Sequence, residues 1–275
     1  MGRLEGKTAV ITGGARGQGR SHAVVFASEG ADIVICDVAE QVDGVPYPMG
    51  TEDDLAETVR LVEAEDRRCV AVKADTRSEA DMKRVADAAM AEFGKIDSLV
   101  VNHGISVFAP KTWELSEEQW HLTVETNLTG VWQTCKACVP HMIEANNGGS
   151  IGITSSTAGI TGFPYMSHYC SAKHGVVGLM LTLAIELAPY MIRCNTVHPC
   201  ATNTPMIKNE YFDKWMEEHP DLSQGTLGLN LGNLMPVETN EPYDLSHAYA
   251  FLASDQARHI TGVQLPVDAG YCAKP

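Results

Sequence analysis

A rhythm in the chain constrains its fold more than any single motif. Short runs of β-branched and apolar residues at 8–12, 32–36, 69–73, 98–101, 150–154, 192–197 and 263–267 alternate with longer amphipathic segments. Those segments lie at 17–29, 53–65, 79–93, 117–143, 168–187 and 243–254. The short runs have strand length, and the long ones carry apolar residues at helical spacing. Strand–helix–strand repetition calls for parallel strands joined by right-handed crossovers. The expected fold is α/β, a doubly wound sheet of about seven parallel strands. With 275 residues, a single domain over 1–275 suits the length.

Two stretches break the rhythm. Segment 38–52 holds two prolines and two glycines and reads as an insertion. Segment 204–241 is a long connection, and such connections in compact domains are usually functional. Ligands of doubly wound sheets sit beyond the carboxyl ends of the strands, so 204–241 is placed to act as a substrate lid. Its apolar residues are Met206, Tyr211, Phe212, Trp215, Met216, Leu222, Leu227, Leu229, Leu231, Leu234 and Met235. They favour an apolar alcohol, terpenoid or alicyclic, over a sugar or charged acid.

Composition excludes some partners. A formal net charge of −15 speaks against nucleic acid or an anionic membrane surface. No uninterrupted apolar run reaches the roughly 18 residues of a membrane span. The first residues do not read as a signal peptide, so a cytoplasmic chain is expected. The eight cysteines are scattered through apolar segments. Even the close pair Cys135 and Cys138 is expected to be buried and reduced, with no metal site.

The first strand runs into Thr12-Gly13-Gly14-Ala15-Arg16-Gly17-Gln18-Gly19. Gly13, Gly17 and Gly19 let the backbone turn tightly beside a pyrophosphate, and the following helix offers free N–H groups to it. Placed between strand and helix, this is a dinucleotide site of Rossmann type, with Arg16 and Gln18 in the same loop. Asp37 closes the second strand, where a carboxylate accepts bonds from ribose hydroxyls and repels a 2′-phosphate. No Arg or Lys occurs in 33–52, so NAD is favoured over NADP. Arg16 alone complicates that choice. Asp75 and Thr76 follow the third strand near the expected adenine edge. Asn102 and Gly104 follow the fourth, at the switch point.

Tyr169 and Lys173 are four apart and share a helix face. An ammonium beside a phenol is expected to lower the phenol's pKa toward neutrality, making a general base for an alcohol or acid for a ketone. Ser156, at the end of the fifth strand, can hydrogen-bond the reacting oxygen. Asn127 is a polar amide in an apolar helical stretch, costly unless it has buried work. One such role is holding a water that relays protons to Lys173.

Taken in order and spacing, Thr12–Gly19, Asn102-His103-Gly104, Asn127, Ser156, Tyr169-x-x-x-Lys173 and Pro199 onward resemble the short-chain dehydrogenase/reductase family. The resemblance implies an NAD-dependent alcohol dehydrogenase with Asn127, Ser156, Tyr169 and Lys173 as its tetrad. It also implies that Lys173 holds the nicotinamide ribose, with Pro199, Thr202 and Thr204 at the carboxamide and pyrophosphate end. Cys200 replaces the family's usual Gly, and His103 its usual Ala. Residues 14–22, the insertion and His198-Pro199 further resemble the actinobacterial carveol-dehydrogenase-like subgroup. That subgroup is associated with the redox cofactor mycofactocin, which implies an external acceptor for a tightly held NAD.

Two other readings stay open here. An NADPH-using 3-oxoacyl thioester reductase would want basic residues after the second strand. A dinucleotide-sensing binding protein without chemistry would show a damaged tetrad. Helices 117–143 and 168–187 carry more apolar surface than one sheet face covers, which points to a homotetramer. Pro46 and Pro48 stiffen the insertion, and Tyr47 and Met49 are expected to cover the adenine.

Overall fold

The computed structural model describes residues 2–220 and 232–274. Leu222, Leu227, Leu229 and Leu231 of the expected lid lie outside the described residues. The strands are β1 (Thr8–Thr12), β2 (Asp32–Asp37), β3 (Cys69–Lys73), β4 (Ser98–Val101), β5 (Gly149–Thr154), β6 (Ile192–Pro199) and β7 (Gln264–Val267). They form one sheet in the order β3-β2-β1-β4-β5-β6-β7, with every neighbouring pair parallel. The expected doubly wound α/β fold is thus the one observed. Every residue of β1 and β4 is buried, as a parallel sheet covered on both faces requires.

On one face lie α1 (Gly17–Ser28), α2 (Glu52–Glu63) and α8 (Pro242–Ala253), where Phe26, Val62 and Tyr249 pack against Ile11 and Ile33. The other face carries α3 (Glu79–Phe93), α5 (Gly130–Ala145) and α6 (Ser167–Leu187), with Met82, Met142, Val176 and Met180 in its core. Cys36, Cys135, Cys138 and Cys194 belong to that second core. By length and composition, Ser167–Tyr190 is long and apolar enough to cross a membrane, although the sequence expectation was of no such run. Here α6 lies on the sheet and buries Val176, Met180 and Ala184.

The expected helix 117–143 is interrupted. It runs as α4 (Glu117–Val124), a π turn (Glu125–Thr129), then α5. The wide turn places Asn127, fully buried, toward the switch point between β1 and β4. Such single π turns inside helices recur at functional sites.

Three connections meet beyond the carboxyl ends of the strands. They are the insertion after β2, the segment after β4, and the segment after β6 that leads into α7 (Glu210–Glu218). Val45 and Tyr47 of the insertion pack with Ile105 and Val107, flanked by Val42, Met49, Leu122, Met206 and Tyr211. Tyr47 is 3% exposed, and its hydroxyl accepts from the Ser106 N–H at 3.0 Å. The insertion therefore crosses the switch point, and Tyr47 does not sit as the expected adenine cover. Its ring finds apolar partners beside Ile105, whereas the ribose end of the cleft is lined by Asp37 and Arg16.

Candidate active site

A cleft of about 530 Å³ runs along this edge, from Gly13, Arg16, Gly17 and Gln18, past Asp37, Asp75, Thr76, Asn102 and Gly104, to Ser156, Tyr169 and Lys173. Its near end is made by backbone. At Gly19 a Cβ would stand 1.9 Å from the Gly13 carbonyl oxygen, so only glycine lets loop and helix close on each other. Helix α1 starts at Gly17 with no side chain capping its first N–H groups. An uncapped helix N-terminus in a cleft is an anion site.

Asp37 accepts from the N–H groups of Ala15 (3.1 Å) and Ala39 (3.2 Å). Burial pushes its carboxyl pKa upward, opposed by those bonds and by Arg16. Arg16 itself donates through Nη2 to the Pro48 carbonyl, so the insertion takes up the one cation that complicated cofactor choice. Asp75 is paired with Arg77 at 2.6 Å. Burial works against its charge, but the Arg77 bonds prevail and hold it below the usual carboxylate range. Thr76 is buried beside the start of α5. Thr204 packs next to Gly17 across the cleft mouth. Thr202 donates to the Cys200 carbonyl at 3.1 Å and pairs as a bridge with Asn240.

The switch point is fastened by a polar lattice. Thr12 Oγ1 accepts from the backbone N–H of Asn102 (3.0 Å) and His103 (3.2 Å), leaving its proton for His103 Nδ1 at 2.7 Å. Burial holds the His103 pKa down at about 3, so this ring is neutral. The Thr154 hydroxyl donates to Asn102 Oδ1 and meets the Tyr249 hydroxyl at 2.7 Å.

The far end carries the groups expected to react. Tyr169 and Lys173 face the cleft from α6, with Lys173 Nζ 5.6 Å from the Tyr169 ring centre. Lys173 is 3% exposed and donates to the Thr154 carbonyl at 2.8 Å. Burial lowers its pKa from the usual 10.5 to about 8. Burial also raises Tyr169, and Ser156, within hydrogen-bonding reach, partly offsets this. In the protein alone burial therefore keeps the phenol above its usual value, and the expected lowering toward neutrality is not seen there.

Asn127 donates to the Ile105 carbonyl and accepts the Ile105 N–H, both at 2.8 Å. One N–H and the carbonyl oxygen of its amide thus hold the chain after β4. Gly104 permits this closeness, since a Cβ there would lie 3.0 Å from Asn127 Oδ1 and 3.6 Å from Lys173 Nζ. Ser156 is set by His198, whose Nδ1 meets the Ser156 carbonyl at 2.8 Å and whose Nε2 meets the Thr196 hydroxyl at 2.9 Å. In the sequence, His198 has no signal of this role beyond its place beside Pro199.

Above these groups the walls are apolar: Phe108, Phe163, Pro164, Met166, Met206, Phe212 and Met216. Helix α7, within the expected lid, is fastened by rings. Phe108 stacks on Trp215 (5.3 Å, 5° between planes) and Trp215 on His219 (4.0 Å, 11°), with Tyr165 edge-on to Trp215 at 6.0 Å. Tyr211 exchanges two 3.1 Å hydrogen bonds with the backbone of Phe108. Leu234 and Met235 of the expected lid are exposed. The walls contributed by Phe108, Phe163 and Met166 went unread. Their one signal was position, just past the ends of β4 and β5.

A parallel sheet with this cleft at its switch point and Tyr169, Lys173 and Ser156 at its far end defines a class, and the family comparison agrees. The chain belongs to the short chain dehydrogenase family, whose pattern matches residues 7–215. Among its relatives is (-)-trans-carveol dehydrogenase of Rhodococcus erythropolis, 43% identical with all of both chains covered. 3beta-hydroxysteroid dehydrogenase 1 of Eggerthella lenta is 34% identical, covering 99% of this chain and 96% of that one. The solved structure of carveol dehydrogenase from Mycobacterium avium in complex with NAD superposes with a TM-score of 0.93. It is 41% identical and covers all of both chains.

Proposed function

We propose that this protein is an NAD-dependent dehydrogenase interconverting an apolar secondary alcohol, terpenoid or alicyclic, and its ketone. One observation carries the reading: Tyr169, Ser156 and Lys173 stand together at the apolar end of the cleft whose other end is the glycine loop. The uncapped start of α1 and the Asp37 carboxylate fit a dinucleotide diphosphate and ribose. Gly13, Arg16, Gly17, Gln18 and Gly19 would line its diphosphate, Asp75 and Thr76 its adenine, and Asn102, Gly104, Pro199, Thr202 and Thr204 its nicotinamide half. Bound there, the nicotinamide supplies the hydride acceptor.

Tyr169 takes the alcohol proton in oxidation and returns it in reduction. The Ser156 hydroxyl, its oxygen already accepting from Ala158 N–H at 3.1 Å, has its proton free for the reacting oxygen. Lys173 favours the phenolate once the site is filled, and Asn127 keeps the chain after β4 in place. The carveol and hydroxysteroid relatives support a ring alcohol as substrate.

Further parts of the reading go beyond the site. The insertion, held by Arg16 and buried through Tyr47, favours slow exchange of NAD and its reoxidation in place by an external, mycofactocin-like acceptor. Trp120, Trp132, Leu181 and Ile185 on α4, α5 and α6 are 38%, 47%, 43% and 76% exposed, which supports a homotetramer. Cytoplasmic residence accords with both. The test is an alcohol panel assayed with NAD and, separately, with a redox dye. The nicotinamide released on denaturing protein purified without added cofactor is measured alongside. No turnover of any alcohol under either condition would overturn the reading. An empty protein that uses free NAD would remove only the bound-cofactor part.

A further inference from the structure

The insertion contributes a polar group to the apolar end of the cleft. Tyr47 lines the same cavity as Tyr169 and Ser156, and its phenol is near enough to Tyr169 to raise the latter's pKa. The Tyr47 oxygen accepts the Ser106 N–H. Among the described residues no acceptor takes the proton of that hydroxyl. A phenol has one proton to give and, when buried, normally finds it a partner. The ring is buried and packs in one cluster with Val45, Ile105 and Val107.

From this placement we infer that Tyr47 is a specificity-determining residue. It donates a hydrogen bond to a second oxygen on the substrate, beside the carbinol that Tyr169 and Ser156 engage. The preferred substrates would then be ring alcohols that carry a further hydroxyl, keto or ether oxygen, on an otherwise apolar frame. The inference rests on the alcohol dehydrogenase reading above. A neutral hydrogen bond of this kind is worth about 0.5–1.5 kcal/mol, or up to about tenfold in kcat/KM.

The test compares cyclohexanol with 1,2-, 1,3- and 1,4-cyclohexanediol and 4-hydroxycyclohexanone, in the native protein and in Tyr47→Phe. Phenylalanine keeps the ring and its packing, and circular dichroism with thermal melting establishes that the variant is folded. The native protein should prefer at least one doubly oxygenated substrate over cyclohexanol by roughly tenfold in kcat/KM, a preference that Tyr47→Phe abolishes. Loss of the Ser106 partner lowers all substrates together and leaves their ratio alone, as should Tyr211→Phe, which loosens the same wall from the lid side. A native protein with no such preference, or a preference that survives Tyr47→Phe, overturns the inference and leaves the dehydrogenase reading intact. If neither protein oxidises any of these alcohols, nor any member of the wider alcohol panel, with NAD or with a redox dye, the dehydrogenase reading itself has failed.

Discussion

The two ends of the cleft are built by different means. At the glycine loop the shape is set by backbone from one continuous stretch, Thr12 to Gly19, with Asp37 following one strand later. At the apolar end the walls come from chain segments far apart. Phe108 touches Tyr211, Phe212 and Trp215 over a hundred residues away, and Tyr47 of the insertion meets Ser106 and Met206. A site made by local backbone leaves little room for variation, because a single Cβ at Gly19 would strike the Gly13 carbonyl. A site made by side chains on loops can be remodelled piece by piece, which is where a family diversifies its substrates.

Four experiments bear on that contrast. The largest effect is expected at the junction of the two ends. Tyr169→Phe should keep NAD binding and lose about 10²- to 10⁴-fold in turnover, the usual worth of a general acid–base group. Near-normal rates in a pure preparation would show that the junction lies elsewhere. Next comes Lys173. Its folded pKa of about 8 lies below the usual 10.5, so within that window the unfolded chain holds a proton that the folded chain has released. The contribution of Lys173 to stability should therefore rise with pH between 8 and 10.5, by up to about 3 kcal/mol, against the buried thiols, whose raised pKa acts in the opposite direction. Lys173→Met should remove this contribution, so that from pH 7 to pH 10 the variant's stability falls further, or rises less, than the native protein's in urea titrations. Equal slopes would mean that the ammonium is not desolvated as described.

Asp37→Ala tests the glycine-loop end alone. It should weaken NAD by about tenfold, the scale of one charge-assisted hydrogen bond, and relax discrimination against NADP. Binding isotherms for both dinucleotides measure this, and a native preference for NADP would contradict the reading of Asp37. The smallest effect belongs to the lid. Trp215→Ala removes the ring stacked between Phe108 and His219. It should raise KM for bulky ring alcohols by about three- to tenfold, as the loss of one aromatic contact suggests, with NAD affinity unchanged. If NAD affinity falls as far as substrate affinity, the two ends are not separable in this way.

The same contrast explains what the sequence disclosed. Gly13, Gly17, Gly19 and Asp37 were legible because their work is local, carried by spacing between one strand and one helix. Tyr169 and Lys173 were legible because helical geometry alone puts them on one face. The strand rhythm predicted the sheet, since burial on both faces leaves a plain record in composition. Tyr47 was seen as important but placed over the adenine, because nothing local says which way an insertion turns after Asp37. The π turn at Glu125–Thr129 was invisible inside an otherwise regular helical pattern, as one extra residue per turn hardly alters its periodicity. The phenol's pKa was misjudged for a related reason. A pair on a helix shows the cation in sequence, while desolvation is a property of everything packed around it.

His198 has a consequence of its own. Its ring gives a proton to the Ser156 carbonyl and takes one from Thr196, and burial lowers its pKa below the usual histidine value. With both nitrogens committed, a second proton would have to turn the Thr196 hydroxyl from donor to acceptor. The ring therefore acts as a strut rather than a switch. Acidification through the range where exposed histidines charge should leave the Ser156 backbone where it is. Acid sensitivity of the activity is then expected from groups other than this ring, while the backbone that carries Ser156 keeps its position.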